Sequence, residues 1–178
     1  MKGGSLIKKQ FEENVREIVF GLEDSLVSTL GAVTGIAAGT GDPFVVILSG
    51  IVLIFVESLS MSAGSYLSSK AAVEVKKKKV SISHTKVAVR AGFVMGVFYL
   101  AGGVFPLIPY FFLPVFTAII PSILLTGIVL FILGAVKAHF LSLSWVKSGL
   151  EMVIVSLSAA LLGFLIGRVV AMVFGITV

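Results

Sequence analysis

The chain of 178 residues has no cysteine, two histidines and one tryptophan. Without thiols it can form no disulfide, no thiolate metal site and no cysteine nucleophile. Charge is scarce too: 13% of residues are Asp, Glu, Lys or Arg, about half the share of a soluble domain. Apolar residues make up 57% of the chain and its mean hydropathy is +1.12. A helix needs about 20 apolar residues to cross a bilayer, so the length holds five or six spans at most. These figures exclude a soluble enzyme, a disordered tail and a receptor with a sizeable extramembrane domain.

The pattern predicts an all-α polytopic membrane protein. Residues 1–19 read as an amphipathic interfacial helix, with Ile7, Phe11, Val15 and Ile18 on one face and Lys8, Lys9, Glu12, Glu13 and Arg16 on the other. No secretory signal pattern is expected there. Residues 20–178 form the transmembrane domain, with spans at about 20–39, 44–69, 87–105, 115–136 and 148–174. Between the first two, Thr40-Gly41-Asp42-Pro43 is a turn whose aspartate suits an N-cap and whose proline suits a first helical turn. Pro106, Pro109 and Pro114 are expected to break the helix after span three, and Pro121 to bend span four. Basic connectors follow spans two and four. No internal repeat is apparent.

With five spans, the N-terminus and both basic connectors share one side. That side collects Lys2, Lys8, Lys9, Arg16, Lys70, Lys76 to Lys79, Lys86, Arg90, Lys137 and Lys147, leaving Arg168 alone of the 14 basic residues near the other face. The positive-inside rule then puts the N-terminus in the cytoplasm and the C-terminus outside. The net charge of +5 is thereby an orientation signal and a contact for anionic lipid. No nucleic-acid partner is expected, because no aromatic or arginine readout accompanies the lysines.

The acidic residues are more informative. An ionisable group inside a span costs about 2.5–3.5 kcal/mol on insertion scales and so marks a functional candidate. Glu23, Asp24, Glu57 and Glu151 qualify. Glu57 lies near the middle of span two, where it must be protonated, paired or bound to a cation. At 100° per residue, Glu57, Met61, Gly64 and Ser68 share one face of that span. Asp24, Ser28, Gly31 and Gly35 share one face of span one. Gly31, Gly35 and Gly39 form a small-residue strip that allows close helix packing, and Gly64 offers the same on span two. The expected seam lies between spans one and two, with Asp24 on one side and Glu57 and Met61 on the other. Two carboxylates and a thioether suit a borderline divalent ion such as Fe²⁺ better than Mg²⁺ or Ca²⁺. A competing reading places Glu23 and Asp24 in the first turn of span one, as N-terminal acids meeting headgroup water. Glu151 has the same alternative at the start of span five, and Met61 could simply be packing.

Two enzyme signatures fail. Gly39-Thr40-Gly41-Asp42 matches the GxGD string of intramembrane aspartyl proteases, but its aspartate sits in a turn and lacks a partner aspartate. His84 and His139 both fall in cytoplasmic connectors, where no serine–histidine pair can form inside the membrane. No enzymatic activity is expected.

The string Gly21-Leu22-Glu23-Asp24-Ser25-Leu26-Val27-Ser28-Thr29 resembles the first-span signature of the vacuolar iron transporter family. The segment from Glu57 through Ser60-Met61-Ser62-Ala63-Gly64-Ser65-Tyr66-Leu67 is similar to that family's second-span motif. So are Pro106-Leu107-Ile108-Pro109-Tyr110, Gly134-Ala135-Val136-Lys137 and Ser148-Gly149-Leu150-Glu151-Met152, in matching order. The resemblance implies a five-span homodimer that exports Fe²⁺, or Mn²⁺, from the cytoplasm in exchange for protons. It implies metal-site roles for Asp24, Glu57 and Met61, with the metal as cargo and no resident cofactor. Vacuolar members also carry a glutamate-rich metal-binding domain between spans two and three. Here that interval is a short lysine-rich connector with one acid, Glu74. The cell membrane is the expected location, with the vacuolar membrane as the alternative. A non-transporting scaffold or partner-binding subunit that keeps the fold is the second functional reading.

Overall fold

A computed structural model describes residues 3–77, 82–141 and 144–175; the side chains of 3–13, 73–77, 82–84, 140 and 141 lie outside that description. Lys2, Lys78 and Lys79 are among the residues not covered, as are the side chains of Ile7, Lys8, Lys9, Phe11, Glu12, Glu13, Glu74, Lys76, Lys77 and His84.

Five long helices account for nearly all of the described chain: α1 (Gly3–Thr40), α2 (Pro43–Lys77), α3 (Ile82–Leu107), α4 (Val115–Leu141) and α5 (Trp145–Val173). Each contains a stretch long and apolar enough to cross a membrane, at Asn14–Thr40, Pro43–Ala72, Thr85–Phe111, Val115–His139 and Trp145–Val173. The helices outrun the apolar segments. The expected connectors at 70–86 and 137–147 are largely helical, because Ala, Val, Glu and Lys sustain a helix beyond the point where hydropathy falls.

The N-terminal segment differs from the expectation of a separate interfacial element. The backbone stays helical from Gly3 into the first span with no break near residue 20. The charged sequence at 8–17 does not interrupt the helical backbone.

The turn between α1 and α2 is built as its sequence predicts. Gly41 takes a left-handed φ of 62°, which an L side chain rarely adopts. The Asp42 carboxylate accepts hydrogen bonds from the N–H groups of Phe44 at 2.8 Å and Val45 at 3.2 Å, capping α2. Pro106 does not end α3, which runs one residue further before a 3₁₀ turn at Ile108–Phe111. A proline in the last turn already has a helical φ and removes only its own N–H from the ladder. Its carbonyl accepts a hydrogen bond from Ser122 of α4 at 2.6 Å.

Helices α1 and α3 form the centre. Half of the central stretch of α3 and 44% of that of α1 are buried, against 22% for α2 and α4 and 11% for α5. Peripheral helices turn large apolar side chains outward, among them Phe55, Leu59, Ile128, Ile154 and Leu161, as lipid-facing surfaces require. The tightest contact joins α1 to α5. A Cβ at Gly31, Gly35 or Gly39 would lie 3.1, 2.7 or 3.0 Å from the backbone oxygens of Ala159, Gly163 and Gly167. Positions advance by four on both helices together, so α1 and α5 run in parallel, as the first and last of five crossings must. The small-residue strip therefore serves α5, whereas the expected seam was with α2. Helical periodicity gives the face but not the neighbour that takes it. Gly64 packs on nothing: no atom lies within 4 Å of a Cβ placed there.

At the other end of α5, Gly134 of α4 abuts Ser148 and Gly149, and Phe131 meets Trp145 edge-on at 6.2 Å. The Gly134 and Ser148-Gly149 motifs thus meet in space as a close α4–α5 crossing.

Candidate functional site

The site is assembled by α3, which carries neither of its carboxylates. Gly92 and Gly96 allow α2 to approach closely, and Gly102 does the same for α1. Serines then fix the register across both seams. Ser25 of α1 donates to the Tyr99 carbonyl at 2.5 Å. Ser58 of α2 donates to the Gly96 carbonyl at 2.9 Å, and Ser62 to that of Gly92 at 2.7 Å. Gly96 and Tyr99 are three residues apart, about 4.5 Å along the axis. The residues just before the two serines, Asp24 and Glu57, are consequently held at nearly the same depth.

Helix lengths agree with this. Asp24 lies 16 residues before the end of α1 at Thr40, about 24 Å. Glu57 lies 14 residues after the start of α2 at Pro43, about 21 Å. Each lies at least 10 residues from either end of its apolar stretch, Asn14–Thr40 or Pro43–Ala72, and the two carboxylates are within electrostatic reach of each other. Each is half-buried in the single chain.

The N-terminal-acid reading of Glu23 and Asp24 does not survive the helix boundaries. Helix α1 begins at Gly3, 20 residues ahead of Glu23, and a helix dipole acts only over its first turn. Glu151 is likewise past the first turn of α5, which opens at Trp145, and its side chain is exposed.

Met61 sits one turn further along α2 than Glu57, toward the end of α2 beside the start of the first span, and lines a cavity of about 150 Å³ lined also by Arg16, Glu17, Phe20, Gly64 and Met95. Asp24 and Glu57 are not among its lining residues, while the two carboxylates are within electrostatic reach of each other. Among the described residues, no three Asp, Glu or His side chains cluster closely enough to hold a metal. One chain supplies a pair of carboxylates and no more. His139 is exposed on the last turn of α4, remote from the pair.

Two residues of the region escaped the sequence reading. Glu17 is seven positions before Asp24, two helical turns along the same face, and that spacing could have revealed it. Tyr99 is fully buried, shares a 2.8 Å hydrogen bond with Ser28, and lies within electrostatic reach of both Asp24 and Glu57. A lone tyrosine in an apolar span reads as packing, and nothing in its spacing says otherwise.

Comparison with known proteins now identifies the scaffold. A model of the VIT family matches residues 15–89 and 75–168, which covers all five crossings. The chain belongs to the VIT family. It is 31% identical over 173 residues to an uncharacterised protein of Methanocaldococcus jannaschii, spanning 88% of this chain and 90% of that one. It is 31% identical over 86 residues to Vacuolar iron transporter 1 of Arabidopsis thaliana and 35% identical over 80 residues to that of Eucalyptus grandis. Those matches span 48% and 44% of this VIT-family chain, and about a third of each transporter, 34% and 32%.

Proposed function

We propose that the chain exports a divalent metal, Fe²⁺ or Mn²⁺, from the cytoplasm by exchange for protons, acting as a homodimer. What supports this reading is the pair Asp24 and Glu57, at nearly one depth because Ser25 and Ser58 bond neighbouring turns of α3, and within electrostatic reach of each other. Two carboxylates within electrostatic reach inside an apolar layer repel one another when both are ionised, at a cost lipid cannot screen. Two protons relieve that repulsion, and so does one divalent cation. Competition between them for the same oxygens supplies the coupling: the pair loads metal when deprotonated and releases it when protonated from the outer side.

The homodimer follows from what one chain leaves open. Half-buried carboxylates in mid-membrane require cover that is not lipid, and a borderline ion takes four to six ligands. A second copy set against the open side of α1 and α2 would double the carboxylates and seal the site. Met61, Met95 and Glu17 line the cytoplasmic cavity through which a soft-to-borderline ion would approach. Basic residues gathered before span one and in the connectors after spans two and four support a cytoplasmic N-terminus and an outer C-terminus, in the cell membrane.

Calorimetric titration of the purified protein with Mn²⁺ tests the site. The expected result is saturable binding that is lost in both Asp24→Asn and Glu57→Gln. Binding unchanged by either substitution would overturn the assignment and favour a scaffold that keeps the fold without transport.

A further inference from the structure

Helix α4 turns an apolar ridge outward: Ile128, Ile132 and Val136, each four residues from the next, are 58%, 56% and 42% exposed. A groove runs along each flank of that ridge, and Ile132 and Val136 belong to the wall of both. On one flank, Val129, Leu133 and Lys137 of α4 share a cavity of about 290 Å³ with α1 side chains from Val15 to Leu22. On the other, Phe131, Ala135 and His139 share a cavity of about 340 Å³ with Trp145 of α5. Both flanks step along α4 by four residues, stay apolar for two positions, and finish on a nitrogen-bearing side chain at the same end of the helix. Lys137, His139 and Trp145 are the polar members of the two linings, and neither lining contains an acid. The apolar stretch of α4 ends at His139 and that of α5 begins at Trp145, so the three lie at headgroup depth, where tryptophan and long basic side chains anchor. Asp24, Glu57 and Met61 line neither groove, which sets this surface apart from the carboxylate pair.

We propose that the α4 ridge is a saddle for one anionic phospholipid, with an acyl chain in each groove and the phosphate at Lys137, His139 and Trp145. Two apolar slots that share one polar end match a molecule with two hydrocarbon chains and a single headgroup. A lysine with two N–H-bearing rings, and no carboxylate beside them, selects a negative headgroup over a zwitterionic one. On the topology proposed above, that end faces the cytoplasmic leaflet, where anionic lipid is concentrated. A second copy of the chain fits less well. Copies related by a two-fold axis along the membrane normal hold equivalent residues at equal depth, so pairing through this ridge brings lysine toward lysine with no acid to offset them. Seated on the saddle, the lipid packs α4 against α1 on one side and α5 on the other.

Trp145, the sole tryptophan, reports on this site directly. The full chain is reconstituted in phosphatidylcholine vesicles containing a minor fraction of brominated lipid, whose bromines quench indole fluorescence on contact. Brominated phosphatidylglycerol should quench Trp145 at a several-fold lower mole fraction than brominated phosphatidylcholine. Unlabelled phosphatidylglycerol should relieve that quenching, and its single-chain form should do so only at a several-fold higher fraction. Lys137→Gln should weaken the anionic preference about fivefold, the worth of one cation at a membrane surface. Lys86→Gln makes the same charge change at an exposed position of α3 outside both linings and should leave the preference intact. Equal quenching by the two brominated lipids overturns the proposal. So does a preference that survives Lys137→Gln, or one that Lys86→Gln weakens as much. Quenching by neither lipid overturns it too and assigns the ridge to a second copy of the chain. None of these readouts depends on metal binding.

Discussion

The α1–α5 seam yields the sharpest stability prediction. Replacing Gly35 with Ala puts a Cβ 2.7 Å from the carbonyl oxygen of Gly163 and 3.1 Å from its carbonyl carbon. Both partners are backbone in a helix and cannot rotate away. The axes must part by several tenths of an ångström, and the contacts of Gly31 and Gly39 with Ala159 and Gly167 loosen with them. Overpacking of this kind costs about 1–3 kcal/mol. Alanine also gains up to about 1 kcal/mol of helix propensity over glycine, so the single measurement mixes two effects. Gly127 of α4 supplies the control, since a Cβ there has no neighbour within 4 Å. Gly35→Ala should therefore be about 1–3 kcal/mol less stable than Gly127→Ala, with propensity cancelling between them. Unfolding by a denaturing detergent in mixed micelles measures this, followed through the fluorescence of Trp145, the sole tryptophan, which packs edge-on against Phe131. Equal stability of the two variants would refute the parallel glycine seam.

Asp42→Ala removes the acceptor that caps α2 and should cost about 1 kcal/mol in the same unfolding assay; Asp42→Asn should recover most of it. Ser58→Ala should cost about 0.6 kcal/mol and at most about 1.7 kcal/mol, near the low end because the Gly96 carbonyl keeps its helical bond. Its larger effect should be functional, since it frees α2 to slide against α3 at the level of Glu57: Mn²⁺ binding should weaken while Ser158→Ala, at an exposed serine of α5 bonded within its own helix, leaves binding unchanged.

Much of this architecture is legible in the residues because the bilayer imposes it. Hydropathy locates the five crossings, and the Asp42-Pro43 turn announces its own cap, since both depend on local chemistry. The seams do not. Gly31, Gly35 and Gly39 reveal a face built for close approach, yet whether α2 or α5 fills it depends on how five helices pack together. Gly64 has the same composition and packs on nothing. Charges at Lys8 to Arg16 mark where the apolar stretch begins, but a helix can continue through them, so the start of α1 was hidden. Asp24 and Glu57 stand out from sequence because ionisable groups are costly at that depth. Met61 shares the helical face of Glu57, but its neighbourhood, the cavity shared with Met95 and Glu17, becomes visible only in three dimensions. Tyr99 illustrates the limit: its ring is buried in the core while its hydroxyl bonds Ser28 of α1, and one letter cannot separate the two.

The central claim is that Asp24 and Glu57 exchange a divalent metal for protons. The most direct measurement is Fe²⁺ flux into proteoliposomes under an imposed pH gradient, with protein oriented so that its cytoplasmic side faces the external solution. The account predicts Fe²⁺ uptake when the lumen is the more acidic side, together with alkalinisation of the lumen as protons leave. Both fluxes should vanish in Asp24→Asn and in Glu57→Gln. Uptake that persists in either variant, or that moves no protons, would contradict it.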